Sequence, residues 1–203
     1  MLSVKLTPLV LASESPYRKL QMESLGLPFS TSRPLIDEES EKMKFPKPRE
    51  RAQGLARLKA LSLQSKTQII IGGDQLIHLS GQILGKPKTR EKAIEQLTAL
   101  QGKTHEILTA LCVVYDQNII EHLDVTLMSM RSLSPLEIEN YVNLDSPLDC
   151  AGSYKIEKNG HGLFSQIETQ DFSAIMGLPL LTLSKILQTY GYAPKKVEKT
   201  KTT

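Results

Sequence analysis

The chain has 203 residues, 40% of them hydrophobic and 23% charged, with a formal net charge of +3. That length and balance describe a globular fold that buries roughly 70% of its unfolded surface, and they exclude a disordered chain. The excess charge is local: residues 194–203 hold Lys195, Lys196, Lys199 and Lys201 against Glu198, so the remainder is balanced and offers no bulk basic footprint for nucleic acid.

The two cysteines, Cys112 and Cys150, lie far apart and form no metal-ligand spacing. This reads as a reduced, cytoplasmic protein. No apolar run approaches the ~18 residues of a membrane span. Met1 to Ala12 is too short an apolar stretch for a signal peptide, and Pro8 interrupts it. The expectation is one domain over residues 1–193, made of two lobes, followed by a basic, frayed tail over 194–203.

In chain order, Leu9 to Ala12 reads as a short buried strand. Ser15 then caps a helix with Pro16 at its first position. That helix should turn Leu20 and Leu25 inward and stop at Gly26. Phe29 to Ile36 reads as extended, and Glu38 to Pro48 as a charged loop. A helix over Arg49–Gln64 places Ala52, Leu55, Ala56 and Leu63 near one side. Gln68 to Ile71 is an apolar strand ending in Gly72-Gly73-Asp74, and Gln75 to Leu79 is another, turned back by Ser80-Gly81-Gln82 into Ile83-Leu84. Thr89 caps a helix carrying Ala93, Ile94, Leu97 and Leu100 on one stripe. Glu106–Tyr115 and Asn118–Met130 form a hairpin. Ser134-Pro135-Leu136-Glu137 is a capping box opening a helix to about Leu144. Gly152, Gly160 and Gly162 mark loops and short strands, and Leu180–Tyr190 is the last helix. Interleaved helices plus a hairpin imply a mixed α/β sheet with flanking helices.

Three places carry possible chemistry. The strand–Ser13-Glu14-Ser15-Pro16–helix junction offers backbone N–H groups and a positive dipole end to an anion, with Arg18 and Lys19 on the first turn. Asp74 follows a buried strand, where catalytic groups of α/β folds often stand. Gly85-Lys86-Pro87 lacks the spacing and the Ser/Thr of a P-loop, but Lys86 can meet a phosphate as a point charge. The Asp37-Glu38-Glu39 run could ligate a hard cation together with Asp74. The four histidines form no catalytic pattern.

Ser13-Glu14-Ser15-Pro16-Tyr17-Arg18-Lys19 resembles the SxSPRR box that opens Maf proteins. Ile36-Asp37-Glu38-Glu39, Leu55-Ala56-Arg57-Leu58-Lys59-Ala60 and Gly73-Asp74-Gln75 are similar to further boxes of that family. Gly85-Lys86-Pro87, Thr109-Ala110-Leu111, Ala151-Gly152-Ser153-Tyr154 and Gly177-Leu178-Pro179-Leu180 follow in family order. The resemblance implies a nucleoside triphosphate pyrophosphatase with an ITPase-like twisted mixed sheet, two lobes around a cleft, and often a homodimer. It implies a divalent metal cation (Mg2+, Mn2+ or Co2+), held by Glu38 and Asp74. Asp74 would be the catalytic group that activates water. Ser13, Ser15, Arg18, Lys59 and Lys86 would hold the triphosphate. Tyr17, Gln75 and Glu157 stand where the dTTP/UTP branch carries Arg, Thr and Gln. The pattern resembles the YceF-type branch, which acts on 7-methyl-GTP, with Tyr17 replacing its Trp. A dTTP/UTP pyrophosphatase and a non-enzymatic regulator of septum formation are the rival readings. No nucleic acid or membrane partner is expected.

Overall fold

The computed structural model describes residues 6–192. The basic tail expected at 194–203 lies outside the described residues. Seven strands form one mixed sheet: β1 (Leu9–Ala12), β2 (Phe29–Ser32), β3 (Ile69–Leu79), β4 (Gln82–Leu84), β5 (Thr104–Tyr115), β6 (Asn118–Met130) and β7 (Phe164–Glu168). The strand order is β2-β1-β3-β5-β6-β7, with β4 also paired to β3. Pairing of β1 with β2 and β3 is parallel, and every other pairing is antiparallel. Helices α1 (Pro16–Ser24), α2 (Glu38–Lys42), α3 (Pro48–Leu61), α4 (Arg90–Leu100), α5 (Pro135–Asp145) and α6 (Leu180–Thr189) pack around it. The expected mixed α/β class is what forms. Among the described residues, no helix is long and apolar enough to cross a membrane.

The core falls into three clusters. One face of the sheet packs Leu9, Leu11, Ile69 and Ile71 against Met22 of α1 and Leu183 and Leu187 of α6. The opposite face packs Val10, Ile70 and Leu108 against the alanines of α3. A third cluster, built on Leu97, Leu100, Ile107 and Met128, fills the end covered by α4 and α5.

Several elements differ from the sequence expectation. Leu20 is 60% exposed, not inward. The inward side of α1 is set instead by Met22 and by Gln21, whose amide donates to the carbonyls of Ser173 and Leu178 at 2.7 and 3.1 Å. The extended segment from Phe29 stops at Ser32, because its partner β1 ends at Ala12 opposite it. The charged loop after Ile36 contains α2. Asp37 caps it by accepting the Glu39 N–H at 3.2 Å, and Glu38, Glu39 and Glu41 sit where the helix dipole favours carboxylates. The two strands expected on either side of Gly72-Gly73-Asp74 are one strand, β3, because β5 pairs continuously with it from Ile70 to His78.

Gly72 lets α3 lie directly on that strand. A Cβ there would stand 2.4 Å from the Ala56 carbonyl oxygen and 2.8 Å from the Ala60 nitrogen. Both are backbone atoms of a packed helix and cannot swing away. Gly72→Ala is therefore expected to destabilise the fold by about 3 kcal/mol, as overpacking of a rigid contact does. Denaturant unfolding measures it; a change below about 1 kcal/mol means that α3 shifts freely.

Candidate active site

The cleft forms where the sheet is interrupted. On the side of β3 away from β5, β1 pairs only as far as Gly72, and β4 begins only at Ile77. Residues 73–76 thus have a strand partner on one side alone. Over this gap opens a cleft of about 850 Å³, within the range of small-molecule sites. Its walls come from the β1–α1 junction, α2, α3, β4, the 149–157 segment and the turn at Ile175–Gly177.

Asp74 rises from the floor of this gap, mid-strand rather than at a strand end, and is 8% exposed. Lys59 reaches it from α3: its Nζ lies 2.8 Å from Asp74 Oδ1 and 3.0 Å from Glu38 Oε2. Three segments thus meet at one ammonium. Lys59 is buried at 5% exposure, and its placement follows from helical spacing, since Ala52, Ala56 and Ala60 hold α3 close to the sheet.

Arg18 approaches from α1. Its Nε donates to the Gly177 carbonyl at 3.0 Å and its Nη1 to Ser13 Oγ at 3.5 Å. Burial pulls the guanidinium down from its ordinary value, and the Asp74 and Glu38 carboxylates oppose that shift. Gly177 has a φ of 119°, a left-handed conformation, which brings its carbonyl beneath Arg18. Ser15 caps α1, with Oγ accepting the Arg18 N–H at 3.4 Å, and Ser13 Oγ accepts the Ser15 N–H at 3.1 Å. Both hydroxyls therefore shape the helix start while lining the cleft. Lys86 is exposed on the same cleft.

The three residues expected to read the base also line the cleft. The Tyr17 hydroxyl donates to Asp149 Oδ2 at 3.2 Å and lies 3.6 Å from Cys150 Sγ. Burial, and then these neighbours, raise its pKa above the ordinary tyrosine value. Gln75 can offer a ligand only part of its side chain. Its amide nitrogen is committed to Thr109 Oγ1 at 3.0 Å and to the carbonyls of Ala174 and Ile175 at 2.8 and 3.0 Å. Only its side-chain oxygen remains for a ligand. Glu157 is exposed on the segment that follows the buried Tyr154 and Ile156.

Sequence reasoning missed Lys42, Arg51 and Lys88, which line the same cleft. Arg51, Leu55 and Lys59 recur at every fourth position of α3, so the helical period was a usable signal for Arg51. Lys42 bonds Glu39 at 2.7 Å. Lys88 adopts a φ of 64° after Pro87, a turn conformation with no sequence signature beyond the proline.

Among the described residues, no three His, Cys, Asp or Glu side chains are grouped to hold a metal. Glu38 and Asp74 converge, with the Lys59 ammonium between them. Two carboxylates suit a hard cation only when other oxygens, such as phosphate oxygens, complete its ligands. The donor set fits a cation that arrives with a polyanion.

An α/β sheet interrupted at its centre, with Lys59 paired to a buried carboxylate and Arg18 and Lys86 lining the same cleft, defines a cleft protein built for a phosphorylated small molecule. The chain belongs to the Maf family, whose model, described as Maf-like protein, matches residues 8–190. It is 51% identical over 180 residues to a protein of Bdellovibrio bacteriovorus named 7-methyl-GTP pyrophosphatase, covering 89% of this chain and 95% of that one. Proteins with the same name from Saccharophagus degradans and Xanthomonas oryzae are 41% and 39% identical, each covered over at least 95% of its length. Among solved structures, the Ham1 protein of Staphylococcus aureus aligns with 90% of this chain and 98% of its own, at 14% identity and a TM-score of 0.47.

Proposed function

We propose that this protein is a nucleoside triphosphate pyrophosphatase that hydrolyses 7-methyl-GTP to 7-methyl-GMP and pyrophosphate. The observation that carries the reading is the buried Lys59–Asp74 pair, with Arg18 lining the same cleft, whose wall also holds Tyr17 and Glu157. The relatives' shared name supports the choice of base.

The triphosphate meets Arg18, Lys59 and Lys86, with the N-terminus of α1 adding its dipole. Arg18 is held by Gly177 and Ser13, so its orientation is set before substrate arrives. Asp74 orients the water and takes its proton as the oxygen attacks the α-phosphorus. The bond from that phosphorus to the bridging oxygen breaks, and pyrophosphate leaves against the lysines. Glu38 and Asp74 would hold a divalent cation brought in with the substrate, which supplies Lewis-acid polarisation of the phosphoryl oxygens.

The base is chosen by charge. A 7-methylguanine ring carries a delocalised positive charge that guanine, thymine and uracil lack. The Tyr17 ring face attracts such a cation by ~0.5–2 kcal/mol. A carboxylate accepts both the N1–H and the exocyclic amine of guanine, while an amide offers one acceptor oxygen, which favours Glu157 over Gln. The test compares kcat/KM for 7-methyl-GTP, GTP, dTTP and UTP in wild type and Glu157→Gln. Wild type is expected to favour the methylated nucleotide by ~10-fold or more, and the variant to lose most of that preference. A wild-type preference for dTTP or UTP moves the chain to the pyrimidine branch.

A further inference from the structure

One wall of the cleft holds a charge arrangement that the catalytic scheme leaves unused. Asp149 Oδ1 meets Lys155 Nζ at 2.8 Å, while its Oδ2 accepts the Tyr17 hydroxyl at 3.2 Å. A single carboxylate thereby ties α1 to the segment that carries Glu157. The Lys155 side chain is 11% exposed, and among the described residues its only other hydrogen bond goes to the Ser146 carbonyl at 3.4 Å. Its backbone is fixed as well: the Lys155 N–H donates to the Tyr141 hydroxyl at 2.8 Å. Further along, Asp145 holds the Asn159 N–H and amide at 3.1 and 2.6 Å. Asp149 and Glu157 line the cleft, and Lys155, bonded to Asp149, does not. The hydrogen bond to Asp149 raises Lys155 above its ordinary value against the opposing pull of burial, and the Glu157 carboxylate adds a little.

We infer that Asp149 is a specificity-determining positioning residue, which pins Tyr17 in the wall and neutralises Lys155 so that Glu157 is the charge the base meets. The inference rests on the reading of the base given above. The physical reason is charge balance. Asp149, Glu157 and Lys155 together carry one net negative charge. Without Asp149, a largely buried ammonium keeps only a long bond to a carbonyl, and Glu157, two positions along the chain, is left to offset its charge. The wall is then neutral. A cationic base loses its advantage there, whereas a neutral base, with no charge to be attracted, loses little.

The experiment measures the ratio of kcat/KM for 7-methyl-GTP to that for GTP in wild type, Asp149→Asn and the double variant Asp149→Asn/Lys155→Met. Methionine keeps the apolar stem of Lys155 and removes its charge. Asp149→Asn is expected to lower the ratio by about tenfold, and the double variant to restore most of it. Asp149 is exposed and methionine keeps the packing of the Lys155 stem, so the double variant should fold; the single variant should melt somewhat lower because its ammonium is unpaired, and thermal melting checks both. An unchanged ratio in Asp149→Asn overturns the proposal alone. A lowered ratio that the double variant fails to restore overturns the charge argument. A wild type without preference for the methylated nucleotide overturns the reading of the base, and this proposal with it.

Discussion

Asp74→Asn is expected to lose pyrophosphate release almost completely while the protein stays folded. The exchange keeps the shape of the side chain and removes the proton acceptor, an effect on the order of 100-fold or more for a general base. Stability should hold, because Lys59 is not orphaned: Glu38 still lies 3.0 Å from its ammonium. The amide oxygen of the new asparagine can also accept from Lys59. A melting temperature near wild type with turnover near zero is the expected pair of results. Near-normal turnover would falsify the assignment of Asp74 as the base.

Lys59→Met should fail in both respects. The methionine fills the same channel along α3, but it leaves Asp74 and Glu38 without the cation that joins them. Asp74 is 8% exposed and cannot escape to water, whereas Glu38 can turn outward. Breaking a mostly buried pair in this way costs about 2–4 kcal/mol. Activity should fall by on the order of 100-fold or more, since a charged donor aimed at the phosphates is lost as well. Urea unfolding and a pyrophosphate assay read the two effects separately. A variant that is less stable yet fully active means that the ammonium serves the fold and leaves the substrate to Arg18 and Lys86.

What the sequence made legible follows from what local chemistry can encode. The start of α1 at Pro16, the cap at Thr89 and the capping box at Ser134 were readable because each is settled within four residues. The stripe of α4 and the β5–β6 hairpin were readable from their periods. The course of β3 was not. Gly72-Gly73-Asp74 has the composition of a turn, and only pairing with strands more than thirty residues away holds it extended. Helix α2 was missed because its residues Glu38 to Lys42 include no apolar one, so no periodicity exists to detect. In the site, Asp74, Lys59 and Glu38 were recognisable as motif members. Their meeting at one ammonium was not, because three segments must first be brought together. Arg51 was within reach of the helical period that it shares with Lys59, whereas Lys88 could not be told apart from the other basic residues of a balanced surface. Nothing local to Asp149 marks it, because its partner Tyr17 stands 132 positions away.

The interruption beside β3 has a consequence for how the molecule treats other polypeptides. A bare run of backbone N–H and C=O groups along a strand normally invites another chain to add itself to the sheet. Residues 73–76 present such a run, yet β1 and β4 occupy the same side immediately before and after it. A visiting strand would collide with both before it could form a ladder. A small molecule does not need length to bind there. The protein therefore keeps an open backbone edge at its centre without becoming a template for aggregation, and the sheet itself discriminates by size before any side chain reads its guest.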